Sequence, residues 1–416
     1  MSALRRTFGL LAIPALALAT ALPAATAAHA APAAATSSPT VRPDAAAAGW
    51  LARQLVDGDH FESVFNGTAY PDQGLTIDAV LAFAASHSSD QAAAKATAWL
   101  AKPEIISGYL GDGTTEAYAG ATAKLLLAAE VRGVNPTAFG GIDLPARLRS
   151  LQSPEGRFSD RSQWGDYSNA FGQSLALIAL HRTPAAPATA VDFLANSQCA
   201  DGGYPVSFGQ AACTSDPDAT ALAAQALAAT GRTAKANAGL GWLAAHQNAD
   251  GGFVAAGATA SNANTTGLAT QALLSGGRFG AGVKGWSRLV KFQQGCTTDP
   301  AVRGAIAYDA SGFNAGNGSR ATAQAVLGLG GTRWPPSPPP ARVPTPRPWP
   351  ARPRPPTETT NPRSREESSD DRHPHPGPPG PPGPPHARFG RRGRRPHRRP
   401  ARRLRRPGPA GPGRGL

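Results

Sequence analysis

Gln247-Asn248-Ala249-Asp250-Gly251-Gly252-Phe253 closes an Ala/Leu-rich run, and its pattern, Gln-x-x-acid-Gly-x-aromatic, occurs twice before it. The earlier copies are Gln152-Ser153-Pro154-Glu155-Gly156-Arg157-Phe158 and Gln198-Cys199-Ala200-Asp201-Gly202-Gly203-Tyr204. Each phrase ends one helical run and is followed by a loop and a second run, so the unit is a helix pair. A fixed period of about fifty residues marks a repeat architecture, in which no unit buries its apolar face alone.

The phase extends beyond the phrase. A polar residue followed by an apolar run stands at Asp78, Lys124, Gln173, Gln225, Gln271 and Gln324, at spacings of 46, 49, 52, 46 and 53 residues, which predicts six units. First helices are expected near 45–54, 91–101, 144–152, 188–198, 234–247 and 283–294. Second helices are expected near 75–86, 119–131, 168–181, 219–230, 265–274 and 319–329. The first set carries an apolar stripe with Leu148, Leu194, Leu243 and Val290 four residues before a Gln, one helical turn away on the same face. The second set is apolar nearly all round, as in Ala219 to Leu227, which predicts burial on both sides. Six buried helices, each with an amphipathic partner, predict an all-α fold, an (α/α)6 toroid over residues 45–334.

The formal charge of +14 is misleading as a sign of nucleic-acid binding. Residues 335–416 hold 19 Arg, five acids and 26 of the 41 prolines, and account for the whole excess. The repeat region is electrically neutral, without the basic face that phosphate backbones require. The tail cannot bury a core and is expected to be disordered. It reads either as a polyproline spacer with a basic patch for an anionic cell-wall polymer or as a frameshift product of a GC-rich gene. At the other end, Arg5 and Arg6, an apolar stretch from Phe8 to Leu22 and Ala28-His29-Ala30 form a secretory signal over residues 1–30 that also fits a loose twin-arginine pattern. Residues 31–44 form an Ala/Pro/Ser/Thr-rich disordered lead. No later stretch is long and apolar enough for a membrane span. The expected product is secreted, and cell-wall association is one option.

Of three cysteines, Cys199 and Cys213 bracket one loop and are expected to pair; Cys296 is left over. Three cysteines without a Cys-x-x-Cys pair do not make a zinc site, and no metal or cofactor is expected.

The repeated phrase resembles the Gln-Trp repeat of squalene and other terpenoid cyclases, with Phe158, Tyr204, Phe253 and Phe313 at the aromatic position. The helix-pair ring resembles the toroid that these enzymes share with protein prenyltransferase β subunits. The resemblance covers residues 45–334 and implies an apolar cavity for a hydrophobic small molecule. Protonating cyclases carry Asp-x-Asp-Asp-Thr-Ala with the middle Asp as acid; here the string is Asp216-Pro217-Asp218-Ala219-Thr220-Ala221. The middle Asp is kept and the third is Ala219, so the single catalytic candidate is Asp218, with Asp216 and Thr220 beside it. Asp166, Asp218, Asn264 and Asn317 recur seven residues before the aligned Gln, which reads as a set of helix N-caps. Phe83 and Phe171 are the aromatic residues of the inner helices, few for stabilising carbocations. The prenyltransferase zinc pattern Asp-x-Cys is absent, since Cys199-Ala200-Asp201 runs backwards. Glu155, Asp160, Asp166, Trp164 and Tyr167 cluster in one loop, an arrangement that a polysaccharide-active enzyme would use and that a solvated lid also explains.

The inner-helix Gln173, Gln225, Gln271 and Gln324 need hydrogen-bond partners, either from the neighbouring unit or from a ligand in the ring. The favoured expectation is an exported, non-catalytic binding or surface-interaction module. The alternatives are a squalene-hopene-like cyclase using an Asp acid and a cobalamin-carrier-like protein.

Overall fold

In the computed structural model, residues 42–182 and 185–331 are described, and they contain thirteen α-helices. The expected signal, the expected lead up to residue 41 and the Pro/Arg tail lie outside the described residues. Inner helices are α2 (Gln73–Ala85), α5 (Ala119–Val131), α7 (Ala170–Leu180), α9 (Pro217–Ala229), α11 (Ala263–Ser275) and α13 (Ala315–Gly330). Outside them stand α1 (Pro43–Gln54), α3 (Asp90–Leu100) with the short α4 (Pro103–Leu110), α6 (Leu144–Arg149), α8 (Ala188–Asn196), α10 (Thr233–Ala245) and α12 (Phe279–Phe292). A hairpin of β1 (Glu62–Phe65) and β2 (Thr68–Pro71) precedes α2.

The six inner helices pack in sequence order, and α13 then packs on α2, so the ring closes. Small residues set the spacing. Gly328 of α13 lies so close to α11 that an added Cβ would come within 2.7 Å of the Gly267 carbonyl oxygen.

Each outer helix packs chiefly on the inner helix before it: α3 on α2, α6 on α5, α8 on α7, α10 on α9 and α12 on α11. That leaves the place beside α13 without a local occupant, and α1 fills it. The Trp50 indole of α1 donates to the Ala301 carbonyl at 3.0 Å and meets Phe313 edge-on at 5.6 Å. The spatial pair is therefore inner helix then outer helix, and the first helix of the ring completes the last pair.

The repeated phrase is the mortar between pairs, and every position has a task. The Gln side chain bonds the next outer helix: Gln198 donates to the Lys235 carbonyl at 3.0 Å, and Gln247 to the Ala281 carbonyl at 2.9 Å. The acid reaches the same helix, with Asp201 accepting from the Trp242 indole at 2.9 Å. Glycine at φ 87° (Gly251) lets the turn abut the next helix, where a Cβ would sit 2.6 Å from the Lys284 carbonyl. The aromatic side chain is buried, and its backbone N–H donates to the inner helix: Tyr204 to Thr220 Oγ1 at 2.8 Å, Phe253 to Thr266 Oγ1 at 3.0 Å.

These bonds correct the expected register. Ile306, not Phe313, holds the aromatic position of the last unit, because its N–H donates to Thr322 Oγ1 at 2.9 Å. The matching Gln is Gln293, which donates to the Pro43 carbonyl of α1 at 2.8 Å, and the buried residue four before it is Leu289 rather than Val290. Residues 295–303 form an insertion that hides the phrase.

The Cys199–Cys213 disulfide is formed and Cys296 is exposed. No helix among the described residues is long and apolar enough to cross a membrane.

Candidate functional site at the ring lumen

Phe61, Phe158, Tyr204, Phe253 and Ile306 donate their N–H groups to Thr76, Gln173, Thr220, Thr266 and Thr322, and this fixes which inner-helix positions are equivalent. Gln173 thus takes the place of Thr220, not of Gln225. It is buried in the wall, accepting from Phe158 and donating to the Gly156 and Ala190 carbonyls at 3.0 and 3.2 Å.

In each inner helix, taking Thr122 for α5, the residues two before and two after this Thr/Gln position are half-buried, except Leu222, which is buried. Four residues apart, they share a helix face. They form the lumen. Its mouth tier is Gly74, Gly120, Phe171, Asp218, Asn264 and Arg320; the middle tier is Asp78, Lys124, Leu175, Leu222, Leu268 and Gln324. Three residues further on, the same stripe reaches Leu81, Leu127, Ile178, Gln225, Gln271 and Leu327, all at 7% exposure or less, which makes a closed floor. At 1.5 Å rise per residue, the open part is a cup roughly 6 Å deep between its tiers.

The cup has two halves. On α13, α2 and α5, Lys124 Nζ meets Asp78 Oδ1 at 2.6 Å, and Arg320 meets Asp72 Oδ2 at 2.9 Å and Asp78 Oδ2 at 3.4 Å. Burial disfavours the Lys124 ammonium, but the Asp78 charge, Tyr109 and the hydrogen bond to Asp78 together outweigh it and the Lys124 pKa is raised. Two acids and two bases balance.

On α7, α9 and α11 the middle tier is Leu175, Leu222 and Leu268, below Phe171, Asp218 and Asn264. Asp218 lies in the first turn of α9. Burial, and then the nearby Asp216, pushes its carboxyl up to about 7, while a hydrogen bond from Thr265 pulls it down. Thr265 Oγ1 donates to Asp218 Oδ2 at 3.3 Å. Asp218 Oδ1 and Asn264 Oδ1 are buried and have no hydrogen-bond partner within the protein.

The caps fall elsewhere than the sequence suggested. Asp216, not Asp218, caps α9, accepting from Ala219 N at 2.8 Å; Asn262, not Asn264, caps α11; Asn169 and Asn314 replace Asp166 and Asn317. The cap stands immediately before the first helical residue, which is Pro217 in α9 and Ala263 in α11, so Asp216 and Asn262 take that place. Asp218 is thereby released from capping and turned to the lumen. Thr220 is the wall residue that holds Tyr204.

Among the Gln residues, Gln324 lies in the middle tier. Gln225 and Gln271 lie in the floor, where Gln225 Nε2 donates to Ala221 O at 3.3 Å and its Oε1 has no partner. Phe83 is in the core, at 1% exposure, so Phe171 is the aromatic residue of the lumen stripe.

The acidic loop is structural. Asp160 caps α5 from outside, accepting from Ala119 N at 2.7 Å, and Asp166 accepts from the backbone of Asp160 and Ser168 and pairs with Arg157. Trp164 and Tyr167 are exposed. Sequence reasoning missed Thr265 and took Asn264 for a cap; the Asn262-Ala263-Asn264-Thr265 string, aligned with Asp216-Pro217-Asp218-Ala219, was the available signal.

Among solved structures, a single-residue variant of the type II terpene cyclase MstE from Scytonema, in complex with geranylgeranyl dihydroxybenzoate, is similar at a TM-score of 0.52. It is 16% identical, and the match covers 69% of this chain and 95% of that one. The fold is that of a terpene cyclase toroid. Ligand-free MstE matches at a TM-score of 0.51 and 16% identity, over 69% of this chain and 96% of that one. A protein from Actinoplanes matches at 0.50 and 17% identity, over 70% and 98%. No protein-family model and no curated protein matches the chain.

Proposed function

We propose that this toroid is a protonation-type cyclase, in which Asp218 donates a proton to a carbon–carbon double bond of an uncharged polyisoprenoid. The observation that carries the reading is Asp218 Oδ1: a buried carboxyl oxygen, free of protein partners, on the apolar half of the lumen. Burial raises the carboxyl to about 7, so a share of it stays protonated up to neutral pH and can act as an acid. In the first step the Asp218 O–H bond breaks as a C–H bond forms at one alkene carbon, leaving a cation at the other and a carboxylate on Asp218. The next double bond closes on that cation, and loss of a proton at the end of the cascade restores a neutral product. Phe171 supports the cation from the adjacent helix, a contact worth up to about 2 kcal/mol when desolvated. The likeness to MstE, whose structure holds a prenylated substrate, supports this reading at the level of fold.

Asp72, Asp78, Lys124 and Arg320 are mutually paired, which leaves no cation in this set for a diphosphate head and favours a neutral substrate. The disulfide supports action outside the cytoplasm.

The test is conversion of squalene or a C20 polyprene hydrocarbon to a cyclic isomer of equal mass, read by gas chromatography with mass detection. Asp218→Asn should lower turnover at least about 10³-fold with the circular dichroism unchanged. Turnover retained in that variant would exclude Asp218 as the acid.

A second reading, a non-catalytic binding module, is favoured by Ala219 in place of a third Asp, by Phe171 as the one aromatic among the twelve tier residues and by the shallow closed floor. Native mass spectrometry separates the two. A bound polyprene recovered unchanged after long incubation supports the binding module; a cyclic isomer supports the enzyme.

A further inference from the structure

The hydrogen bonds around Asp218 fix where its proton resides. Thr265 N donates to Asn262 Oδ1 at 3.0 Å, which orients the Asn262 amide. Asn262 Nδ2 then donates to Thr265 Oγ1 at 3.2 Å. With an acceptor site of its oxygen occupied, Thr265 has its own hydroxyl proton to give, and Asp218 Oδ2 lies 3.3 Å away. Oδ2 is thus the accepting, carbonyl-like oxygen of the neutral carboxyl. The other oxygen, Oδ1, carries the acid proton and is the one without a protein partner.

We infer that Thr265, held by Asn262, is a positioning residue that assigns the acid proton of Asp218 to Oδ1, the oxygen without a protein partner. Thr265 belongs to α11, the neighbouring inner helix, so the acid and the group that orders it come from different units. Donation to Oδ2 also stabilises the carboxylate left after proton transfer, which makes Asp218 a stronger acid than burial alone would allow.

Few other charges compete. Neither α7 nor α11, which flank α9 in the ring, has a titratable side chain. Lys235 of α10 and Asp192 of α8 are exposed, and Asp216, on α9 itself, is the charged group that acts on Asp218.

This inference rests on the proposed acid role for its catalytic meaning but not for its test. The Asp218 side-chain carbon is followed by NMR through a pH titration, its signal assigned by its loss in Asp218→Asn. Thr265→Val should move the midpoint upward by about half a pH unit or more, the effect of one lost hydrogen bond. Thr265→Ser should restore it. If Thr265→Val does not fold, Thr265→Ala gives the same reading with less crowding. An unchanged midpoint in a folded Val or Ala variant overturns the inference, whatever the turnover. Where polyprene conversion is measurable, kcat should fall in Thr265→Val with KM unchanged and return in the Ser variant. Conversion that survives Asp218→Asn would sink the cyclase reading while leaving the titration result standing.

Discussion

Two buried groups decide the energetics at the level of single residues. The Tyr204 hydroxyl is buried without a partner, and burial alone raises its pKa. Its ring fills the aromatic position that Phe158 and Phe253 fill without a hydroxyl. Tyr204→Phe should therefore stabilise the protein by about 1–3 kcal/mol in urea unfolding, the cost of the orphaned hydroxyl. Asp218 acts on stability through pH. Its folded carboxyl titrates at about 7, above the ordinary 3.8, so the folded state binds the extra proton between those values. Stability then falls as pH rises through that window, and the cost is complete above it. Asp218→Asn, which cannot ionise, should gain on the wild type from pH 4 to pH 8, by up to about 4 kcal/mol at the upper end. Thermal melts at the two pH values check this, and an equal difference at both would contradict it. The lumen position of Asp218 was hidden in the sequence because Asp and Asn at a helix start look alike whether they cap or face inward. What decides between the two is where the helix begins, at Pro217 in α9 and at Ala263 in α11.

At the scale of elements, the phrase that defines the repeat is a joint rather than a site. Gln247 donates to two carbonyls, Gly251 at 2.8 Å and Ala281 at 2.9 Å, on either side of the joint. Gln247→Ala should cost about 1–3 kcal/mol by leaving them unpaired, while Asp216→Ala, losing the cap of α9, should cost about 1 kcal/mol. Denaturant midpoints at unchanged m-value are the measure. The helices themselves were legible because Ala/Leu runs, caps and glycine turns act locally. Expected and observed spans differ mostly at their ends, and α4 and the β1–β2 hairpin were missed because the first two units lack the phrase. The insertion at residues 295–303 broke the spacing and led to Phe313 in place of Ile306. What no local pattern encodes is the pairing of tiers across the lumen, where Asp78, Lys124 and Arg320 come from three helices.

For the whole molecule, closure is the property on which the rest depends. Trp50 packs α1 against the last unit from 251 residues away, and Trp50→Ala should cost about 3–5 kcal/mol, read as a lower melting temperature. Arg320 links α13 to Asp78 of α2 and to Asp72, the cap of α2, across 242 to 248 residues, so the charged half of the lumen is also the seam of the ring. The sequence predicted a ring but not its seam, because the two halves of the closing pair lie at opposite ends of the chain. Those ends are neighbours in space. Arg42 donates to the Ser86 carbonyl at 2.8 Å, and a Cβ on Gly330 would come within 2.6 Å of the Ala85 carbonyl. Both ends of the described ring thus meet at the end of α2. A circular permutant that joins residue 331 to residue 42 through a short linker, and opens the chain in another loop, would turn the longest-range contact into a local one. Such a chain should keep its stability and fold faster, because the loop that must close before α1 can dock would be gone.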